Sequence, residues 1–203
     1  MIKPSSYRIF GTVILLLFAK NIMAEDISFD YVQASYFSDT IALDGDVSEM
    51  DGTGIGFLLS LGFSSAFAMT LAVDSTTFSS FQDISVDTSK RTALGITAHT
   101  SVVSKTDIFA NLSVIKAEIT ATDGVDSRSE SDFGGVIKMG VRHLVTDDFE
   151  LELNTSYMSV FSATVNSYAV DTRFYLRKRW SLGVGYFVND DQETISLNLR
   201  VSL

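Results

Sequence analysis

Seven charged residues in the second half of the chain have a spacing that would bring them together. Glu150 and Glu152 lie two positions apart, and Lys138 and Arg142 lie four apart. On an extended strand, residues separated by an even number point to the same face. Carboxylates and cations held on one face can neutralise each other as ion pairs. The spacing therefore predicts a charge cluster made of Lys138, Arg142, Glu150, Glu152, Asp171, Arg173 and Arg200.

The elements that would carry these residues are β-strands. In the stretch LELNTSY, Leu151, Leu153 and Tyr157 have one parity, and Glu152 and Asn154 have the other. This two-residue period is typical of a strand with one apolar face, and it recurs between clusters of Gly, Ser, Asp and Thr. The pattern predicts about ten strands, at 31–37, 55–63, 67–75, 92–99, 108–119, 135–144, 149–157, 168–176, 180–187 and 195–203. Roughly eight strands is the alternative count.

The connections between the predicted strands alternate in character. Most odd-numbered connections are long and acidic. The exception joins the seventh and eighth predicted strands and is the mostly polar segment 158–167. Even-numbered connections are mostly short, such as 64–66 and 145–147, although 100–106 is longer. A meander with short turns at one end and long loops at the other is the pattern of transmembrane barrels. An even number of strands then puts both termini at the short-turn end.

The two faces of the predicted strands differ in a way that suits a barrel in lipid. One face is apolar along nearly every strand, as at Leu151 and Leu153, while the other mixes charged residues with Gly, Ala and Ser. Small residues suit the crowded interior of a narrow barrel. Phe149 and Trp180 stand beside short turns and Tyr168 stands towards a long loop, as in interfacial aromatic girdles. We expect the apolar face to contact lipid and the charged face to line the lumen.

Composition and the first residues set broader limits. The chain has 203 residues, no Cys and a net charge of −10. Without Cys there are no disulfides or thiolate metal sites, and the negative charge argues against nucleic acid as a partner. Residues 1–24 have the features of a secretory signal, with Lys3 and Arg8 before an apolar segment at 9–19 and a cleavage point after Ala24. We expect cleavage there, which leaves 25–203 as one barrel domain.

The C-terminal stretch ISLNLRVSL alternates to the last residue, with Ile195, Leu197, Leu199, Val201 and Leu203 on one face. It resembles the C-terminal strand by which the barrel assembly machinery of Gram-negative bacteria recognises its clients, although it ends in Leu rather than an aromatic residue. The whole pattern resembles the small outer-membrane β-barrel proteins of the opacity type and porin family. The resemblance implies an all-β, antiparallel up-and-down transmembrane β-barrel, exported through the periplasm to the outer membrane. It implies membrane lipid, lipopolysaccharide and the assembly machinery as partners, and it brings no cofactor, metal site or catalytic motif.

The pairing of the charged residues decides how the lumen would be filled. A turn at 145–147 would place Arg142 opposite Glu150 and Lys138 diagonal to Glu152. We therefore expect a structural or surface-interaction protein with a charge-plugged lumen. A narrow channel for small polar solutes is the first alternative, and a soluble secreted ligand-binding β-barrel with an apolar lining is the second. The two histidines have no catalytic constellation beside them, so we expect no enzyme.

Overall fold

The computed structural model describes residues 27–42, 49–79, 85–122, 126–177 and 179–203. Within these ranges ten strands form one sheet: β1 (Tyr31–Ala42), β2 (Glu49–Ser64), β3 (Phe67–Phe78), β4 (Ser85–Val103), β5 (Thr106–Thr122), β6 (Ser127–Thr146), β7 (Phe149–Val160), β8 (Ala163–Arg177), β9 (Trp180–Asn189) and β10 (Gln192–Ser202). Each strand is antiparallel to its neighbours, and β1 pairs with β10, which closes the barrel. The predicted ten-stranded barrel is confirmed, and the alternative of eight strands is wrong. The predicted signal peptide, 1–24, lies outside the described residues.

The strands are longer than the apolar alternation predicted. β4, β5 and β6 contain 19, 17 and 20 residues and continue into polar sequence. Two connections predicted as loops are therefore tight turns, at 104–105 instead of 100–106 and at 161–162 instead of 158–167. Phe161 and Ser162 have φ values of 53° and 59°, as a two-residue type I′ hairpin turn requires. Backbone pairing makes no demand on side-chain polarity, so the end of the apolar pattern did not mark the end of a strand.

The barrel has two ends, which we call the inner end and the outer end. The inner end carries the turns at 65–66, 104–105 and 147–148 and the C-terminal residue Leu203. The outer end carries the turns at 161–162 and 190–191. The remaining three connections at the outer end include residues outside the described ranges. No helix long and apolar enough to cross a membrane occurs in the described part of the chain.

The barrel exterior is apolar and its interior is polar. Large hydrophobic side chains are exposed at alternate positions around the wall, among them Phe57, Val73, Leu94, Leu112, Leu153, Leu182 and Leu197. A closed barrel pairs its backbone groups between strands, so only apolar side chains meet a surrounding hydrocarbon. Most buried polar side chains, such as Ser60, Thr97 and Arg142, face the lumen. The alternative of a soluble ligand-binding barrel required an apolar lining and is therefore wrong.

A charge cluster and a terminal segment as the candidate functional site

Glu150 is the centre of a buried charge network near the inner end of the lumen. Its carboxylate accepts from Arg142 at 3.1 Å (Nε to Oε1), 3.0 Å (Nη2 to Oε1) and 2.9 Å (Nη2 to Oε2). Arg173 donates from Nη1 to the same carboxylate, and the Tyr175 hydroxyl donates at 2.7 Å. The side chains of Arg142 and Glu150 are 2% and 0% exposed. One carboxylate thus joins β6, β7 and β8 across the lumen wall.

The register between β6 and β7 differs from the predicted one. β6 continues to Thr146, the turn is at 147–148, and a β-bulge separates Leu144 from Thr146. Arg142 is therefore directly opposite Glu152, so the predicted turn at 145–147 is wrong. Arg142 still reaches Glu150, which is its diagonal neighbour on the same face and within range of a long side chain. A bulge adds one unpaired residue to a strand, and the alternation of residue types did not reveal it.

Glu152 connects this network with the wider part of the lumen. Lys138 Nζ lies 3.4 Å from Glu152 Oε1, and Arg142 Nε lies 3.7 Å from Oε2. Asn154 Nδ2 donates to Oε1 at 3.1 Å. The Lys138 side chain is 38% exposed whereas that of Glu152 is 8% exposed. The Lys138–Glu152 pair therefore lies between the buried side chains of the inner lumen and a more exposed region.

Asp171 and Arg200 face the lumen as expected from parity, but they do not join the ion pairs. Asp171 lies opposite Glu152 on the neighbouring strand and pairs with no cation within 4.0 Å among the described residues. Arg200 Nε donates to Gln33 Oε1 at 2.9 Å. The Arg200 guanidinium carbon lies 3.7 Å from the centroid of the Tyr31 ring. The cluster is thus five connected residues with two separate neighbours.

Residues 27–30 enter the inner end of the lumen, a feature that the sequence reasoning did not predict. Ile27 and Phe29 are buried among apolar side chains of the wall. The Phe29 ring stacks on His99 with 3.7 Å between centroids. The Phe29 ring also contacts Arg142, whose guanidinium carbon lies 4.8 Å from the ring centroid. This segment therefore covers the charge network from the inner side, and we call residues 27–30 the terminal segment.

Hydrogen bonds hold the backbone of the terminal segment. Arg142 Nη1 donates to the carbonyl of Ser28 at 3.1 Å, and Ser60 Oγ donates to the carbonyl of Phe29 at 2.5 Å. The sequence contains a signal for the terminal segment in the stretch ISFDY at 27–31. Its large residues have the inward parity of β1 and continue that row before the strand begins. An inward row of bulky apolar residues is unusual in a polar lumen, so it indicates a plug.

A second charged layer lies nearer the outer end. Arg91 Nε donates to Asp74 Oδ1 at 2.8 Å. Asp39 is buried and accepts from the hydroxyls of Thr76 at 3.2 Å and Thr194 at 2.5 Å. Asp74 and Arg91 are direct cross-strand partners on β3 and β4, and the sequence analysis did not predict this pair. We call these residues the outer layer, and the Arg142–Glu150–Arg173 network the inner layer.

A cavity of about 380 Å³ lies in the lumen between the two layers. Its polar lining includes Gln33, Ser35, Lys138, Asn154, Asp171 and Asn198. Phe37 also lines it and lies over Gly54, where an added Cβ would stand 2.3 Å from the ring. Only glycine fits at that position without moving the ring. The cavity has room for water or a small polar solute above the inner layer.

The two histidines lie apart from the charge cluster. His99 is stacked on Phe29, and His143 Nδ1 is 2.8 Å from Thr106 Oγ1 on the exterior of the wall. Among the described residues, no group of three or more His, Cys, Asp or Glu is arranged to hold a metal ion. The lumen offers charge pairing and polar contacts.

Comparison with solved structures relates this geometry to known folds. The outer membrane protease OmpT from Escherichia coli matches with a TM-score of 0.54 and 11% identity, over 88% of this chain and 99% of that chain. This chain has the fold of a Gram-negative outer-membrane β-barrel. The β domain of the Bordetella autotransporter BrkA matches with a TM-score of 0.52 and 11% identity, over 85% and 98% of the two chains. The translocator domain of the autotransporter NalP from Neisseria meningitidis matches with a TM-score of 0.50 and 10% identity, over 97% and 94%.

No protein-family model and no curated protein matches the chain. The solved structures therefore show the fold, while their individual activities differ among protease and autotransporter domains. The apolar exterior and this fold together are those of a protein of the Gram-negative outer membrane.

Proposed function

We propose that this outer-membrane barrel has a structural or surface-interaction role and does not form a permanently open pore. The closed inner lumen carries this proposal, because the inner layer is almost fully buried and the terminal segment packs against it. A barrel of this size has an interior that side chains can fill. In this role the barrel contacts lipid and lipopolysaccharide, catalyses no reaction, and depends on the barrel assembly machinery for insertion.

The test is planar-bilayer conductance of the refolded barrel, with insertion verified separately. We expect no discrete current steps from the wild-type protein. The double variant Arg142→Ala, Glu150→Ala removes the inner layer and should produce steps. The matched control, Asp74→Ala with Arg91→Ala, removes the ion pair of the outer layer and should remain silent, because the inner layer is intact. Steady current from the wild type would contradict the proposal.

A narrow channel for small polar solutes is the second candidate, favoured by the polar cavity between the layers. In that case the terminal segment would act as a removable stopper, since it is not part of a strand. Phe29→Ala alone would then give transient steps, and the inner-layer variant would change their size. Silence of both Phe29→Ala and the inner-layer variant would exclude the channel and move attention to the outer surface.

A further inference from the structure

The outer end of the sheet carries a strand edge that no described strand covers. β6 has 20 residues and β7 has 12, and the two strands pair only from Gly135 and Ser159 towards the inner end. On its other side, β6 pairs with β5 as far as Ser127 and Thr122. Residues 127–131 of β6 therefore have a neighbouring strand on one side only, among the residues that the structure describes. An open strand edge is a template for pairing with a further strand.

Asp132 stands where the covered part of this edge ends. Its carboxylate accepts from the backbone amide of Phe161, in the turn after β7, at 2.7 Å, and from that of Phe133 at 2.8 Å.

The open edge lies beyond the aromatic residues of the outer interface. Tyr157, which is exposed on the exterior, is the direct partner of Ile137 on β6. Ser127 is about ten residues further out, which is about 33 Å along the strand. The edge is therefore accessible to a partner outside the membrane.

The hydrogen-bonding direction of each residue on this edge follows from the β5–β6 register. The amide of Leu144 donates to the carbonyl of Lys105 at 2.9 Å, so Leu144 directs its backbone groups towards β5. The register shows no shift along this strand pair, and the direction alternates from one residue to the next. The even-numbered residues of β6 therefore bond to β5. Ser127, Ser129 and Ser131 direct their amides and carbonyls away from β5, towards the open side.

The side chains between these serines carry opposite charges. Arg128 and Glu130 are 84% and 59% exposed, and Arg128 Nη2 lies 2.7 Å from Glu130 Oε1. Both line a groove of about 410 Å³ together with Ile119, Ala121 and Phe161. The edge thus has free backbone groups, a cation and a carboxylate two positions apart, and open space beside them.

This pattern is complementary to itself when two copies of the edge run antiparallel. If Ser129 faces Ser129 of a second copy, then Ser127 faces Ser131, and all three serines can exchange backbone hydrogen bonds. In the same alignment Arg128 faces Glu130 of the second copy, and Glu130 faces its Arg128. Opposite charges directly across a strand pair are favourable and like charges are unfavourable. An alignment centred on Arg128 or on Glu130 would oppose like charges, so the charges select the alignment centred on Ser129.

We propose that residues 127–131 are a docking edge at which two copies of this chain pair head to head from opposing membranes. Two barrels in one membrane would present their β6 strands in the same direction, whereas the complementary alignment is antiparallel. A two-fold axis between the two outer ends, parallel to the membranes, meets this requirement. The inference rests on the proposed surface-interaction role and names a second copy as the partner.

Two features limit the strength of this contact. The net charge of −10 on each copy causes repulsion, which salt screens. Asp126 of the second copy approaches Asp132, although Asp126 precedes the strand and Asp132 is held by two amides. We therefore expect a weak contact that becomes measurable when many copies act together.

The test is aggregation of lipid vesicles that carry many copies of the refolded barrel, in about 0.15 M salt, where the Debye length is about 8 Å. Light scattering, and energy transfer between two dye-labelled vesicle populations, should show aggregation of the wild type. Arg128→Glu and Glu130→Arg should each slow it about tenfold, because two attractive pairs become repulsive. The variant with both changes should regain the wild-type rate, as should a mixture of vesicles that carry one single variant each.

General charge repulsion predicts a different result, because Glu130→Arg makes the chain less negative and would then speed aggregation. The matched control is Lys116→Glu, which changes the charge as Arg128→Glu does but lies on the exterior of β5, away from the edge. It should aggregate as the wild type does.

A further variant tests the backbone pairing. Ser129→Pro removes the central outward amide and leaves the pairing with β5 intact, because that amide points away from β5. It should abolish aggregation without changing the heat-dependent gel mobility of the folded barrel. Aggregation of Ser129→Pro at the wild-type rate would refute pairing through this edge.

Two other outcomes overturn the proposal. Wild-type vesicles that do not aggregate, with insertion verified, would exclude self-pairing. A double charge variant that stays as slow as the single ones would assign the edge to a partner other than a second copy. Bilayer conductance tests the closed lumen separately, so a silent barrel that does not aggregate overturns only this inference, and a conducting barrel that aggregates overturns only the closed lumen.

Discussion

The inner and outer layers of the lumen satisfy buried charge in different ways. In the inner layer, Glu150 takes hydrogen bonds from two arginines and Tyr175, and none of these ion-paired side chains is more than 3% exposed. In the outer layer, the Arg91 and Asp74 side chains are 32% and 24% exposed. The difference shows that one barrel can carry a buried charge network at one end and a partly exposed ion pair at the other.

The reason for the difference is the terminal segment. Phe29 packs on Arg142, and the side chains of Arg142 and Glu150 are almost fully buried, so their electrostatic interactions act in a low-dielectric surrounding. Towards the outer end, the cavity beside Lys138 and Arg91 allows partial hydration. Equal changes of charge should therefore have unequal effects in the two layers.

The largest effect is expected from Glu150→Gln. Removing one partner of a buried pair leaves an uncompensated charge, which costs about 3–5 kcal/mol, and here two arginines lose their acceptor charge. The matched change Asp74→Asn should cost about 1 kcal/mol, because its partner is partly hydrated. Urea unfolding in lipid vesicles, followed by fluorescence of the single Trp, measures both. Equal losses would remove the distinction between the layers.

A second test concerns the facing on which both layers depend. Leu153 is 44% exposed on the exterior, and the next residue, Asn154, lines the cavity. Leu153→Arg should cost about 2–4 kcal/mol at the membrane midplane and block assembly far more than Asn154→Arg. The fraction of folded barrel can be measured from the difference in gel mobility between heated and unheated samples. Similar mobility shifts in the two variants would reverse the assignment of the faces.

A smaller effect is expected where the layers meet. Lys138 is half-buried, so its ion pair with Glu152 is screened by water. Lys138→Gln should lower the free energy of unfolding by about 1 kcal/mol or less, and Lys138→Arg should restore most of it. A loss as large as that of Glu150→Gln would extend the closed inner layer to Lys138.

The smallest effect is expected at the inner surface, where Lys105 Nζ donates to Asp147 Oδ1 at 2.5 Å. This hydrogen bond, together with the charge of Lys105, lowers the pKa of Asp147. A lowered carboxyl pKa stabilises the fold above the ordinary pKa, and the contribution is lost as the pH falls through the lowered value. Lys105→Ala should return the pKa of Asp147 to its ordinary range in an NMR titration and lower the unfolding midpoint only slightly, because the pair is exposed. An unchanged pKa would show that the pair does not persist in solution.

Strand number and facing could be read from the residues because they depend on local geometry. Side chains alternate along any strand, so Leu151, Leu153 and Glu152 already reveal which face meets lipid. The same alternation predicted that the seven charged residues lie on the opposite face from the lipid. The alternation did not predict where the strands end, because backbone pairing continues through polar residues such as those at the start of β6.

By itself, the sequence determined a ten-stranded meander, an apolar exterior and a charged interior. Only the tertiary structure decided which charges meet. The bulge at Leu144 and Thr146 moved Arg142 opposite Glu152, and barrel closure brought Arg200 opposite Gln33. The burial of Phe29 against Arg142 also joins residues far apart in the chain. Such contacts depend on strand register and closure around the whole barrel. A pattern with a period of two residues excludes a register slip of one residue but not a slip of two, and it does not fix closure.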